Sequence, residues 1–261
     1  MIPLFYQIVV PFFLSAFIVI AISIIAERYG TKLGGIIGTL PSTIVIAYIF
    51  ISLNKGTQFA SDSALVVPAE MGINIIFLFT FAVLANKKSY ITLISALGVW
   101  SVFSIGLYLF NLGSIYYSLI LYVLFLLISF LILERYVGIK SVGKAEVKYT
   151  KKKIAFRGII AGIVIATAVF LSNINSILSG IFSVFPAMFL STMLIFTREH
   201  GPKFVGGIAK SMIFGTPTVV SYAIALHFMY PIFGIAIGTI SSFLVSLIVV
   251  SILLKSRYNI S

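Results

Sequence analysis

Apolar stretches about one bilayer long, separated by short polar breaks, recur nine times along the chain. They cover roughly residues 3–26, 32–53, 65–85, 90–110, 115–133, 155–172, 176–197, 206–228 and 231–254. A hydrocarbon core about 30 Å thick takes about 20 apolar residues of helix. The pattern therefore predicts an all-α, polytopic membrane bundle of nine transmembrane helices. Most of the intervening loops are too short to hold a soluble catalytic domain. The longest gap, Glu134 to Arg157, is polar and basic.

Charge gives these spans a direction. The long gap carries Arg135, Lys140, Lys144, Lys148, Lys151, Lys152, Lys153 and Arg157. Lys and Arg accumulate in cytoplasmic loops. Placing that gap in the cytoplasm puts every one of the 18 Lys and Arg residues on the same side except Lys55. The expected protein is a multi-pass component of the cell (plasma) membrane, with its N-terminus outside and its C-terminus in the cytoplasm. The first span lacks a basic leader, so a cleaved signal peptide is not expected. Orientation accounts for the basic run, so nucleic acid is not expected as a partner, whereas membrane lipids with anionic headgroups are.

Composition narrows the class further. Hydrophobic residues make up 61% of the 261 residues and charged ones 9%, which excludes an ordinary soluble domain. There is no cysteine, hence no disulfide and no thiolate metal site.

With an odd number of spans between two groups of four, the groups lie upside down relative to each other. The expected organisation is a 4+1+4 inverted-topology repeat. Residues 1–112 form the first four-helix repeat, 113–154 a linking transmembrane helix with the basic cytoplasmic loop, and 155–261 the second, inverted repeat. A shift of 145 residues aligns the halves without gaps. Gly35, Ile36, Pro41, Gly56, Phe59 and Ala64 then fall on Gly180, Ile181, Pro186, Gly201, Phe204 and Ala209. Span five, which holds neither Gly nor Pro, reads as a lipid-facing connector.

Each half carries a Gly-x4–5-Pro run inside its second span, followed by a glycine 15 residues after the proline: Gly34 to Gly56 and Gly180 to Gly201. In these runs both halves resemble the small four-span GlpM-like inner-membrane proteins. The resemblance implies a tandem, fused form of a unit that would otherwise pair antiparallel. It implies architecture and not substrate, because that family brings no settled activity.

Candidate chemistry concentrates where helices should break. Proline removes a helical hydrogen bond and crowds the preceding turn. In lipid the freed carbonyls survive only against protein or a water-filled cavity. Pro41, flanked by Thr39, Ser42 and Thr43, corresponds to Pro186, flanked by Ser179 and Ser183. Paired breaks at matching positions of two halves point to a transporter's binding site, though a kink without a ligand has the same pattern. Span eight adds Thr216 and Pro217. Glu70 lies about 9 Å along its helix from Ala64, and an ionisable group at such depth is a functional hypothesis by default. Asn74, one turn on, is placed to hydrogen-bond it. Glu70 is the candidate proton- or cation-binding carboxylate, unless it reaches the interface or pairs with Lys55. Lys210 is either a gate or ion-pair partner, or snorkels to headgroups. Asp62 reads as a helix cap, His227 as interfacial, and Trp100 as lining the interior or packing in the core.

Three Gly-x-x-x-Gly spacings, Gly34/Gly38, Gly158/Gly162 and Gly234/Gly238, favour close helix packing or a homodimer. No metal or cofactor is expected. An enzyme is disfavoured, since six acidic residues and two histidines are scattered and no Gly-x4-Gly-Lys-Ser/Thr loop occurs. The best reading is a secondary transporter of a small molecule or ion, working by alternating access, with Glu70 as the candidate route to proton coupling. The alternative is a non-transporting scaffold, accessory subunit or lipid-handling protein.

Overall fold

The computed structural model describes residues 3–28, 41–111, 113–135 and 150–258. Thr39, the Gly34/Gly38 pair, Lys140, Lys144 and Lys148 lie outside the described residues. Within them all regular structure is helical: α1 (Leu4–Arg28), α2 (Ser42–Lys55), α3 (Thr57–Ala64), α4 (Val67–Val83), α5 (Ser89–Leu109), α6 (Ile115–Arg135), α7 (Lys151–Leu171), α8 (Ser176–Ser183), α9 (Ala187–His200) and α10 (Pro202–Tyr258). Four stretches are long and apolar enough to cross a membrane: 89–109, 151–171, 176–198 and 205–253. The pair α3 and α4, bent by 43°, makes a fifth if taken as one span. Outward-facing side chains such as Ile237, Ile240, Leu244, Ile248 and Ile252 form a stripe of exposed aliphatic surface. A soluble monomer rarely shows so much contiguous apolar surface, so helices and surface together suggest a membrane protein.

The last helix is two helices. Its backbone leaves helical geometry at Gly234 (φ 72°, ψ −172°). Ser246 Oγ donates to the Thr218 carbonyl at 3.0 Å, although a straight helix would hold these residues about 42 Å apart. The chain therefore reverses at Gly234 into two antiparallel arms, 202–233 and 235–258. A Cβ at Gly238 would meet the Tyr230 ring at 2.7 Å, so this second glycine lets the arms close. Here the Gly-x-x-x-Gly spacing builds a turn and not a flat packing face.

Both prolines open helices. Pro41 (φ −77°, ψ 47°) and Pro186 (φ −73°, ψ 37°) each sit at the N-terminus of a fresh 14-residue helix. Each of those helices ends at a glycine with positive φ, Gly56 (φ 90°, ψ 164°) and Gly201 (φ 78°, ψ 179°). Glycine alone reaches that backbone region without a steric penalty. The same proline start, 14-residue helix and positive-φ glycine thus recur 145 residues apart.

Helix α7 packs chiefly on α1, and its glycines face that partner. A Cβ on Gly162 would lie 2.7 Å from the Phe12 carbonyl oxygen, and one on Gly158 would lie 3.0 Å from that of Ala16. The third close approach is at Gly180, where a Cβ would collide with the Ser63 carbonyl and the Val66 side chain. There α8 crosses the junction of α3 and α4. Gly180→Ala is therefore expected to lower stability by about 1–3 kcal/mol, the usual cost of overpacking, read as a fall in melting temperature in detergent.

Helix α6 departs from the lipid-facing connector expected of it. Ser118, Tyr122 and Ser129 are buried, and a Cβ on Gly72 of α4 would lie 3.1 Å from the Tyr122 Cα. Only the opposite face, with Tyr116, Ile120, Leu127 and Leu131, is exposed. A span with no glycine of its own packs closely because its partner supplies one.

One end of the bundle is tied by uncharged polar side chains. Asn54 Nδ2 donates to Ser172 Oγ at 3.0 Å, and Asn173 Nδ2 donates to Gln7 Oε1 at 2.5 Å. Ser61 Oγ donates to the His227 carbonyl at 2.7 Å while His227 Nδ1 lies 3.1 Å from the Ser61 carbonyl. Asn175 Nδ2 reaches the Tyr108 hydroxyl at 3.4 Å. Every one of these bonds joins a residue of 1–112 to a residue of 155–261. His227, expected at an interface, is part of this clasp.

Candidate functional site

The break in the seventh span meets α4. Between α8 and α9 the chain turns through Val184, Phe185 and Pro186, which leaves the Val184 carbonyl outside the helical ladder. Asn74 Nδ2 donates to it at 2.7 Å. Asn74 was expected to bond Glu70, one turn before it; the structure gives that amide to Val184 instead. An unsatisfied buried carbonyl costs about 1–3 kcal/mol. Asn74→Leu is accordingly expected to lose about that much stability, which thermal unfolding of the purified variant would measure.

Glu70 itself is fully buried. Ser104 Oγ, on α5, lies 2.9 Å from Oε1 and 3.1 Å from Oε2. Among the described residues no cation pairs with it, and the proposed contact with Lys55 does not form. Trp100 lies one helical turn before Ser104. Its indole nitrogen sits beside the same carboxyl without completing a hydrogen bond. The Trp100 ring packs edge-on against Phe185 at 4.8 Å and against Phe182 at 6.1 Å. Two antiparallel helices thus present Glu70 opposite Ser104 and Asn74 near the level of Trp100, with the aromatic residues of the break closing the third side. Two polar atoms in this cluster have no hydrogen-bond partner: Asn74 Oδ1 and Trp100 Nε1.

The break in the eighth span is satisfied differently. Pro217 cannot donate to the Ile213 carbonyl, and the Thr216 hydroxyl does so at 2.8 Å. With that proton committed, Tyr122 of α6 donates its hydroxyl to Thr216 Oγ1 at 3.0 Å. Ser179 and Ser183 likewise serve backbone carbonyls, those of Ala168 and Gly180. These small hydroxyls repair the helix. Pro41 is buried and Ser42 and Thr43 half-buried at the start of α2, whose main neighbours are α1, α3, α7 and α10. The structure thus brings Glu70, Asn74 and the Pro186 break together, but places the Pro41 trio elsewhere. Lys210 is 9% exposed, within the bundle and not extended along its surface. Asp62 caps no helix; it lies inside α3 and accepts from Gln58 Nε2 at 3.1 Å. Among the described residues no group of three or more His, Asp or Glu is arranged for a metal.

Sequence reasoning missed three features. Arg157, counted with the basic loop, lies six residues inside α7, is 8% exposed and donates from Nη1 to Thr192 Oγ1 at 2.9 Å. Its depth, about 9 Å past Lys151, was the available signal. Ser104 had none, being one serine among many. Tyr48 on α2 and Tyr222 and Tyr230 on α10 are fully buried, and the two-turn spacing of the latter pair was the available signal.

A model for a family described as "Protein of unknown function (DUF3147)" matches residues 8–113. The match covers the first half and stops short of α6, and its description carries neither the GlpM name nor a tandem form. No curated protein and no solved structure matches the chain.

Proposed function

We propose that the protein is a secondary transporter in which two inverted four-helix units rock against each other, with Glu70 as the proton-binding carboxylate. The observation that carries this is a fully buried Glu70 with no cation beside it among the described residues. An unpaired buried carboxylate costs several kcal/mol. One Ser104 proton also cannot serve both carboxyl oxygens at full strength. A carboxyl proton donated back to Ser104 Oγ makes both contacts good hydrogen bonds. In this conformation Glu70 therefore holds its proton, and loss of that proton needs water or a cation to arrive.

The repeat supports the reading from a second side. Prolines at matching positions 41 and 186, each opening a helix of equal length that ends at a positive-φ glycine, are what two copies of one unit would keep. The acid is not duplicated. The positions 145 residues beyond Glu70 and Asn74 hold Gly215 and Val219, so one unit carries the ion chemistry and the other supplies the break that faces it. With the basic segment in the cytoplasm, the polar clasp lies on the outer face, and the conformation described is closed to the outside.

The test is reconstitution into liposomes that enclose a pH-sensitive dye, followed by external addition of small solutes under an imposed pH gradient. A solute that moves protons in the wild type and not in Glu70→Gln establishes coupling through this residue. Equal proton movement in both proteins removes Glu70 from the mechanism.

A further inference from the structure

The cluster around Glu70 is built for more than a proton. Its inventory is one carboxyl, one hydroxyl donor (Ser104), one unused indole donor (Trp100 Nε1), one unused amide acceptor (Asn74 Oδ1) and the rings of Trp100, Phe182 and Phe185. These parts match an ion pair. A deprotonated Glu70 has the Ser104 hydroxyl and the Trp100 indole N–H to donate to it. A cation beside the carboxylate finds Asn74 Oδ1 as its second acceptor, one helical turn or about 6 Å along α4. Both unpartnered atoms are thereby used.

The same parts say which cation. A metal ion such as Ca²⁺ wants six or more oxygen ligands. Here the side-chain oxygens are those of Glu70, Ser104 and Asn74, and the rest of the wall is aromatic. Aromatic faces attract ammonium groups and shelter an apolar substituent. We propose that Glu70, Asn74 and Trp100, with Phe182 and Phe185, form a binding site for a small alkylammonium ion that exchanges with the Glu70 proton. This rests on the transporter reading above and gives its substrate class. Ammonium nitrogen displaces the carboxyl proton, one positive charge replaces another, and the site stays neutral in both states. Cation and proton then move in opposite directions.

Trp100 is the single tryptophan of the chain, so its emission reports this site alone. The experiment titrates the purified full-length protein with ethylammonium chloride, exchanged against sodium chloride at constant ionic strength. A saturable change in Trp100 emission is expected. Its half-saturation concentration should rise about tenfold for each pH unit of acidification once the carboxyl is protonated, as one competing proton requires. The response should vanish in Glu70→Gln and weaken about tenfold in Asn74→Leu, the loss of one hydrogen bond. Melting temperatures of both variants check that they are folded. Trp100→Phe, read by the ethylammonium-induced shift in melting temperature, gives a measure independent of emission. Absence of a saturable change in the folded wild type, or a change that persists in Glu70→Gln, overturns the proposal. If acid alone then still shifts Trp100 emission in the wild type but not in Glu70→Gln, the proton-binding reading survives the loss of the cation; if it does not, both fall.

Discussion

Glu70→Gln is expected to abolish accumulation driven by a pH gradient while leaving the fold in place. Each pH unit supplies about 1.4 kcal/mol per proton, or about tenfold in accumulation. Across two units the wild type should therefore concentrate its solute about a hundredfold more than the variant. The fold should survive because glutamine is neutral, nearly isosteric and retains an acceptor for the Ser104 hydroxyl. Its melting temperature should correspond to a change within about 1 kcal/mol. Glu70→Lys gives the opposite result, since it places a cation where no described residue offers an anion, a loss of several kcal/mol. That protein should fail to accumulate in the membrane. A Glu70→Gln protein that concentrates solute as well as the wild type would assign the proton elsewhere.

Much of the architecture was legible because membrane helices advertise themselves through length and apolarity. The segments from Ser89 and Lys151 appear within a few residues of their expected starts. The stretches from Pro41 to Gly56 and from Pro186 to Gly201 were legible too, since proline and glycine carry backbone meaning that an apolar background does not dilute. Prolines alone, however, do not say whether a helix bends or stops. At Pro186 it stops, and which carbonyl is then left over depends on the neighbouring helix.

Partner choice was the part that could not be read. Asn74 and Glu70 share a face, and a sequence suggests pairing them. The stronger demand comes from Val184, 110 residues away. Span five looked like a connector because it has neither glycine nor proline. Its close packing is encoded in Gly72 of the other helix. Hydroxyls near the breaks looked like substrate ligands, yet Thr216, Ser179 and Ser183 are occupied by carbonyls. In a medium without water the backbone has first claim on any nearby donor. The unoccupied polar atoms are thus the informative ones, and those at Asn74 and Trp100 flank the only acid buried at full depth among the described residues.

Covalent closure of the polar clasp is expected to arrest turnover. Asn54 and Ser172 are joined at 3.0 Å and belong to different units of the proposed pair. If the units rock, this end must part, and a tether across it prevents that. The chain contains no cysteine, so the double variant Asn54→Cys/Ser172→Cys reacts at those positions alone. It forfeits the bonds from Asn54 to Ser172 and Asn173 and from Ser172 to the Val169 carbonyl, about 1 kcal/mol each, while Ser61–His227 and Gln7–Asn173 continue to hold the clasp. After treatment with a short, reducible bifunctional thiol reagent, uptake should fall to the level of empty liposomes, and reductant should restore it. The same reagent applied to Gln58→Cys/Asp62→Cys, one turn apart within α3, should leave transport intact, because that tether lies within one unit. Full cross-linking of Asn54→Cys/Ser172→Cys with undiminished uptake would mean that the two halves do not separate here, and the rocking motion would have to be abandoned even if Glu70 kept its proton.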